Sequence, residues 1–144
     1  MDIRRQGEKT MNTLKFRAWN KRTKEMHDVK SIHLGTQKII VGCKYGNMSI
    51  PFQDIELMRS IDYEDKNDKE IFEGDVILLM QNWKCVVEYD VENARFVING
   101  KNIKNKYKEG KWTYSSFAPY SKNDFKVIGN IYENPEYVKE NSNE

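Results

Sequence analysis

The sequence lacks any long apolar run, and no hydrophobic stretch approaches the roughly 18 residues that a membrane-spanning helix needs. Its first ten residues, MDIRRQGEKT, carry positive charge but no apolar segment, so they do not resemble a secretory signal. Cysteine is scarce as well. Cys43 and Cys85 lie far apart in apolar contexts, which predicts buried free thiols in a reducing cytosol rather than a disulfide. We therefore expect a cytoplasmic protein without membrane contact.

Recognisable catalytic or cofactor motifs are missing too. The eight glycines form neither a phosphate-binding loop nor a dinucleotide fingerprint. His27 and His33 have no neighbouring pattern that matches a zinc site, and we expect them at the surface or half-buried. No nucleophile triad stands out, although an enzyme site assembled from distant residues is an open alternative. The sequence thus predicts no cofactor, no metal and no catalytic residue, and it favours a non-enzymatic protein.

The length and composition indicate a folded protein. A chain of 144 residues suits one domain or two small packed units, and 12% aromatic residues is more than disordered chains usually carry. Residues 1–12 show no periodicity and are predicted to be a flexible leader, with Met11 as an alternative start. Residues 13–137 are predicted to form one domain, in which 13–58 and 59–137 are candidate sub-units. Residues 138–144 are predicted to be a flexible tail.

Hydrophobic periodicity predicts a mainly β fold. Short segments alternate in twos or are β-branched and apolar, whereas no segment offers ten residues at a clear helical period. The segments are 14–19, a return strand from Met26, 37–43, a short strand ending at Pro51, 54–60, 70–72, 75–80, 83–90, 94–98, 112–118 and 125–132. One helical turn is expected after Asn134-Pro135. The prediction is a meander or small β-barrel with only short helical pieces.

The stretch EDKNDKEIFEGDVILLM (64–80) gathers carboxylates before an apolar strand. A calcium loop is disfavoured, because the ligand spacing fails whether the loop starts at Asp62 or at Asp65, and interleaved lysines neutralise the acids. A catalytic carboxylate pair is disfavoured too, because no apolar pocket adjoins the acids. The structural interpretation is a tight turn at 65–68, a positive-φ corner at Gly74, and an Asp75 carboxylate that accepts hydrogen bonds from nearby backbone amides.

Charge is segregated along the chain, although the net charge is only +2. Residues 1–30 hold nine Lys and Arg against four acids, and residues 54–75 hold nine acids against three bases. Residues 101–126 hold seven Lys against two acids, and residues 133–144 hold four acids against one Lys. This pattern favours a basic face that meets an acidic partner, or self-complementary assembly. Charged loops around a small core are the alternative.

The strongest functional signal is the stretch 101–126, where lysines alternate with aromatic residues. Lysines can follow a phosphate backbone while aromatic rings stack on bases, as in single-strand binding by small β-barrels. The candidate surface for nucleic acid or a partner protein comprises Lys101, Lys104, Lys106, Tyr107, Lys108, Lys111, Trp112 and Tyr114. Phe117, Tyr120 and Phe125 continue the aromatic series, and basic residues from Arg4 to Lys24 extend the surface. The alternative is a solvated lysine-rich loop beside core aromatics.

Contact with another protein is the competing interpretation. Segregated charge, three tryptophans and open sheet edges all suit self-assembly or the capture of a partner. Trp19 and Trp112, each close to basic residues, are candidate anchors, with the core as the alternative location for either.

Four blocks of the sequence resemble one known family. They are LKFRAWNKRTKEM (14–26), DKNDKEIFEGDVI (65–77), VEYDVENARF (87–96) and VIGNIYENPE (127–136). In this order they resemble the YopX family, small proteins encoded by phages and prophages. The resemblance implies a largely β fold, an oligomeric state and an accessory phage role in the bacterial cytoplasm. It brings no catalytic residue.

Two departures from the family pattern concern the acidic turn. The chain has Ser60-Ile61-Asp62-Tyr63 where the family usually has a Thr-Gly-Leu step, and Asn67-Asp68 where the family favours Asn-Gly. Because aspartate tolerates positive φ less well than glycine, the geometry of this turn is an open question. The stretch 99–124 lies outside the matching blocks.

These observations favour a non-enzymatic, phage-encoded protein that binds a host or phage protein as an oligomer. The alternative function is nucleic-acid binding by a small β-barrel that uses the stretch 101–126.

Overall fold

The computed structural model describes residues 14–100, 114–117 and 119–139. This part of the chain consists mainly of short β-strands, which are β1 Phe16–Asn20, β2 Glu25–His33, β3 Lys38–Cys43, β4 Gly46–Pro51, β5 Ile55–Glu64, β6 Glu70–Phe72, β7 Asp75–Leu79, β8 Trp83–Asp90, β9 Arg95–Asn99, β10 Tyr114–Ser116 and β11 Phe125–Asn130. Within these residues, helical structure is confined to two 3-10 turns, Phe52–Asp54 and Lys122–Asp124, and to α1, Glu136–Lys139. The helical turn expected after Pro135 is α1. Within the described ranges no helix has the length and apolarity needed to cross a membrane.

The strands form two antiparallel sheets. The first has the order β4-β3-β2-β1-β5-β6, and the second has the order β10-β9-β8-β7-β11. Most neighbours follow one another along the chain, which confirms the prediction of a mainly β meander. Both sheets stay open in the described part of the chain, so the barrel form of that prediction is not adopted.

Three apolar clusters form the core. The first lies under β1 to β5 and contains Ala18, Ile39, Val41, Ile50 and Ile55. The second joins the two sheets and contains Ile61, Ile71, Ile77, Leu79, Cys85, Val87, Ile98, Phe117 and Phe125. The third packs Val76 and Val86 against Ile131, Tyr137 and Val138. Strand β7 therefore contributes to two clusters, which explains why its apolar run is unbroken rather than alternating.

The cysteine prediction is correct for one thiol and wrong for the other. Both cysteines are free, and Cys85 is fully buried in the second cluster, where desolvation raises its pKa to about 12. Cys43 is exposed, because it ends β3 at the tip of a hairpin beyond the apolar cluster. The two histidines are placed as expected, with His27 half-buried and His33 exposed.

The acidic turn is structural, as its Asn and Asp content predicts. The Asp65 side chain is 1% exposed and accepts three backbone hydrogen bonds, from Asn67 at 2.8 Å, Lys69 at 2.9 Å and Val127 at 2.9 Å. Burial alone would raise the pKa of Asp65, but the three amides outweigh it and hold the pKa below its usual value. Asp68 takes a positive φ of 66° in this turn, the conformation that glycine would adopt more easily.

We expect Asp65→Asn to lower the free energy of unfolding by about 1–3 kcal/mol at neutral pH, because an amide group offers fewer acceptor sites to three buried N–H groups. A carboxyl with a lowered folded pKa stabilises the protein above its unfolded pKa of about 4, and that stability is lost as the pH falls through the folded pKa. The difference between the two proteins, measured by urea denaturation, should therefore shrink below about pH 4. A difference that is constant with pH would contradict this account.

Candidate functional site

A buried ion pair joins the two sheets. Arg17 on β1 donates from Nη2 to Oδ1 of Asp75 on β7 at 2.6 Å, and both side chains are nearly inaccessible, at 10% and 1%. Asp75 Oδ2 also accepts the Phe72 amide at 2.8 Å, and the Arg17 guanidinium lies 4.8 Å from the centroid of the Phe72 ring. Burial raises the pKa of Asp75, and the Arg17 guanidinium and the Phe72 amide offset only part of that rise. The predicted bond between Asp75 and a backbone amide is confirmed.

A second, more exposed ion pair lies beside the first. Arg59 on β5 donates to Glu73 from Nε at 2.8 Å and from Nη2 at 3.0 Å, and its backbone amide donates to the same carboxylate at 2.8 Å. The guanidinium also lies 4.4 Å from the ring centroid of Tyr89 and 5.2 Å from that of Phe96. The hydrogen bond to Glu73 raises the pKa of Arg59. Arg59 is thus fixed between the two sheets.

Gly74 lies between the two acidic partners and connects three segments. Its amide donates to the Val87 carbonyl at 2.9 Å, and its carbonyl accepts the Ile131 amide at 2.9 Å. Its φ of 85° confirms the predicted positive-φ corner. A Cβ at this position would meet ordinary contact distances, 3.4 Å to Met58 Sδ at the closest, so it is the backbone conformation that favours glycine. The Glu73-Gly74-Asp75 block is therefore the joint between the sheets.

The GNIYENP block (129–135) forms a turn held by two asparagines. Asn130 Oδ1 accepts the amides of Tyr132 at 3.0 Å and Glu133 at 2.8 Å, while Asn134 Oδ1 accepts the Asn130 amide at 3.1 Å. Asn134 lies so close to Gly129 that any side chain there would overlap it. This turn fixes the position of Tyr132.

Tyr132 completes a surface groove at the joint. Its ring stacks on Trp19, with centroids 5.9 Å apart and planes 21° apart. One open depression of about 590 Å³ is lined by Trp19, Lys24, Tyr132, Glu133 and Pro135. A second of about 470 Å³ also reaches Tyr132, and its lining includes Leu57, Arg59, Glu73, Tyr89, Val91 and Ile131. We call these two depressions together the junction groove. Desolvation raises the pKa of Tyr132.

The groove offers apolar contact area with a charged border. Leu57 is 41% exposed and Val91 is 81% exposed, although both are large apolar side chains. Lys24, Glu88 and Glu133 also line the two depressions. In the part of the chain that the structure describes, no three His, Cys, Asp or Glu side chains converge as a metal-ligand set. An open surface that combines exposed apolar side chains with charged ones is typical of a protein-docking site.

The structure places only part of the predicted basic surface. Lys101, Lys104, Lys106, Tyr107, Lys108, Lys111 and Trp112 lie outside the described residues. Tyr114 begins β10 and pairs with Asn99 of β9. Phe117 is 5% exposed and Phe125 is fully buried, and Tyr120 packs against the same cluster. Phe117 and Phe125 are therefore core residues, as the alternative interpretation predicts, and present no face for a base, whereas Tyr120 is half-buried.

In the basic extension near the N-terminus, Arg4, Arg5 and Lys9 lie outside the described residues, and four of the five described basic residues form ion pairs. Arg17 is buried against Asp75, which removes it from any surface. Lys15 pairs with Glu70, Lys21 with Glu56, and Arg22 with Asp54. Trp19, a predicted anchor, is 8% exposed, so it is mainly a core residue that supports Tyr132 from one wall of the groove.

Sequence reasoning missed the groove itself. The alternation of the segment 54–60 places Leu57 on the same face as Ile55, which is buried, yet Leu57 is 41% exposed. Tyr132 lies in the block VIGNIYENPE (127–136), but nothing in the sequence pattern indicates that its ring lies against Trp19, about 110 residues earlier in the chain. The sequence held only an indirect indication of the groove, because the short blocks RAWN, EGD and GNIYENP all supply residues to the joint between the sheets.

Comparison with known proteins agrees with this arrangement. A family model described as YopX protein matches residues 15–139. The chain belongs to the YopX family. Comparison with curated proteins gave no match. The predicted family is thereby confirmed.

Two solved structures have a similar fold. Protein EF1440 from Enterococcus faecalis has 24% sequence identity and a TM-score of 0.52, with 88% of this chain and 98% of that chain covered. The protein yopX from Bacillus subtilis has 16% identity and a TM-score of 0.57, with 89% and 99% covered. At these identities the likeness shows a shared YopX fold.

We expect Asp75→Asn to lower the free energy of unfolding by about 3–5 kcal/mol, because Arg17 would stay buried without its counter-charge. The matched control is Glu73→Gln in the more exposed pair, which should cost about 1 kcal/mol or less. Urea denaturation of both variants provides the comparison. The double variant Arg17→Met with Asp75→Leu should recover most of the loss, since it removes both charges. Equal costs for the two single variants would contradict the assignment of Arg17 and Asp75 as the central pair.

Proposed function

We propose that this YopX-family chain is a non-enzymatic accessory protein, encoded by a phage or prophage, that binds a host or phage protein through the junction groove. The observation that carries the proposal is the exposed apolar pair Leu57 and Val91 beside the fixed Trp19–Tyr132 stack. Large apolar side chains on a rigid, polar-rimmed surface are typical of sites that dock a protein.

The shape of the groove favours a protein segment over a small molecule. Small-molecule sites enclose most of their ligand's surface, whereas both depressions here are open to solvent along their length. The groove walls belong to strands and to a hydrogen-bonded turn, so the aromatic pair is held in place before a partner arrives. Such preorganisation lowers the conformational cost of binding.

The phage origin and the oligomeric state extend from the family resemblance and from the charge segregation of the sequence. A basic segment 101–126 and an acidic segment 54–75 in one chain suit contacts between copies. Multi-angle light scattering over a range of concentrations and salt tests this part. We expect a mass above 17.1 kDa that falls toward it with added salt. A strict monomer at high concentration and low salt would exclude the oligomer.

We expect Leu57→Glu and Val91→Glu each to reduce capture of a partner from infected-cell lysate by at least about tenfold, because a buried unpaired carboxylate opposes docking. The control is Met80→Glu. Met80 is 55% exposed, but it precedes β8 whereas Val91 follows it, so the two positions lie at opposite ends of that strand. Nuclease treatment should leave the captured protein unchanged. If Met80→Glu reduced capture as strongly as Leu57→Glu, the groove would not be the site.

Nucleic-acid binding through 101–126 is the second candidate, supported by the seven lysines of that stretch and by Trp112 and Tyr114. Under this alternative, Trp112→Ala or Tyr114→Ala should weaken binding of single-stranded DNA or RNA by about 1–3 kcal/mol per lost stack, and affinity should fall steeply with salt. Fluorescence anisotropy with a labelled oligonucleotide measures both effects. Absence of binding at low salt removes this candidate.

A further inference from the structure

In the described ranges the two open sheets end in four edge strands, and three of these edges are short or covered. Strands β6 and β10 span three residues each. The outer edge of β11 is covered by the acidic turn, since Lys66 donates to the Phe125 carbonyl at 2.9 Å and Asp65 accepts the Val127 amide at 2.9 Å. Natural proteins protect edge strands in these ways because unpaired backbone groups recruit other strands.

The fourth edge, β4, has none of these protections in the described part of the chain. It pairs with β3 through six consecutive residues without a bulge, and no described strand lies beyond it. Its sequence, GNMSIP, contains no charged residue, although 32% of the chain is charged. Pro51 at its end is the one residue that limits pairing. A long, regular, uncharged edge is a template for an added strand.

Two backbone amides of β4 point outward. The Phe52 amide donates to the Gln37 carbonyl at 2.9 Å. Gln37 and Phe52 therefore form a hydrogen-bonded pair that continues the β3–β4 register by one residue. Because inward and outward groups alternate along an antiparallel strand, the amides and carbonyls of Ser49 and Asn47 face away from β3. Both residues are exposed.

The stretch of chain that contains β4 carries positive charge and no acid. Residues 29–53 contain no Asp or Glu, whereas the whole chain has 22. Lys38 lies opposite Pro51 across the β3–β4 ladder. The side chain of Lys30 on β2 extends across β3 and passes so close to Gly42 that a Cβ atom added to this glycine would lie 2.9 Å from Lys30 Cε. Neither lysine pairs with a described carboxylate. The face of the sheet beside β4 is therefore basic.

We propose that β4 is a β-augmentation site for an extended acidic segment of a partner protein, in which carboxylates alternate with apolar residues. The partner's backbone bonds the outward groups of Asn47 and Ser49. Its carboxylates lie on the side of Lys30 and Lys38, and its apolar side chains extend the first cluster next to the half-buried Met48. A partner protein is assumed here, as in the proposed function, but the contact surface is a different one.

Charge decides between this occupant and a second copy of the chain. A symmetric pairing of β4 with β4 of another molecule would bring two acid-free, lysine-bearing faces together, and like charges side by side oppose association. Nucleic acid matches the charge but lacks the alternating amide groups that pair with a strand edge. An acidic strand satisfies both the backbone and the lysines.

The test uses the full chain and a fluorescently labelled, end-capped peptide of alternating glutamate and valine, with anisotropy as the readout. The comparison probes are a peptide of alternating lysine and valine, and single-stranded DNA. Ser49→Pro removes the outward amide without touching the β3 ladder, and Ser49→Ala retains that amide. We expect binding of the acidic peptide alone, weakened at least about tenfold by Ser49→Pro, and unchanged within about twofold by Ser49→Ala. Lys38→Glu should weaken it as well.

A measurement on the unmodified protein covers the case in which Ser49→Pro perturbs folding. Hydrogen exchange of the Asn47 and Ser49 amides should slow in the presence of the acidic peptide, while other exposed amides keep their rates. Equal binding of DNA and peptide, or binding insensitive to Ser49→Pro, would reduce the site to a basic surface and overturn the proposal. A Ser49-dependent dimer without peptide would assign the edge to a second copy and overturn it too. Leu57→Glu should leave peptide binding intact, so failure at β4 and failure at the junction groove are distinguishable.

Discussion

The buried ion pair between Arg17 and Asp75 is the constraint on which the arrangement of the two sheets depends. Removing two charges from water is costly, and the cost is offset only because each partner is further satisfied, Asp75 by the Phe72 amide and Arg17 by the Glu73 carbonyl at 3.2 Å. These bonds are directional, so they define one position of β1 relative to β7 more sharply than an apolar contact would. The width of the junction groove, whose walls come from both sheets, follows from that position.

The sequence blocks that resemble the YopX family prove to be the residues of this joint. Arg17 comes from the first block, Glu73, Gly74 and Asp75 from the second, and the Asn130 turn from the last. Most of them bond backbone groups or bury charge, which are structural roles. The exposed residues that suit a partner, Leu57 and Val91, are supported by this framework. Trp19, Val91 and Tyr132 of the junction groove also lie in these blocks, whereas Leu57 lies outside them.

Much of the fold could be predicted because local patterns decide it. The segments that alternate or run apolar became strands close to their expected bounds, and the Asn67-Asp68 turn and the Gly74 corner followed from backbone chemistry. The candidate site could not be predicted in the same way. Trp19 meets Tyr132, and Arg17 meets Asp75, only after two sheets have packed, and no local periodicity encodes such long-range contacts. The same limit explains why the sequence left both a surface and a core location open for Phe117 and Phe125.

Protection of the β11 edge explains why the acidic turn has a buried carboxylate. Asp65 is buried and its carboxylate occupies the Val127 amide, so the turn closes the open side of β11. A chain with two open sheets needs such closure, since each uncovered edge invites unwanted pairing. The turn, the short β6 and the short β10 provide it at three edges, and the uncharged six-residue β4 does not. The unprotected edge of β4 also lies within residues 29–53, the long stretch of the chain that contains no acid. Binding of an acidic strand therefore explains the exposed backbone groups of β4 better than incomplete protection does.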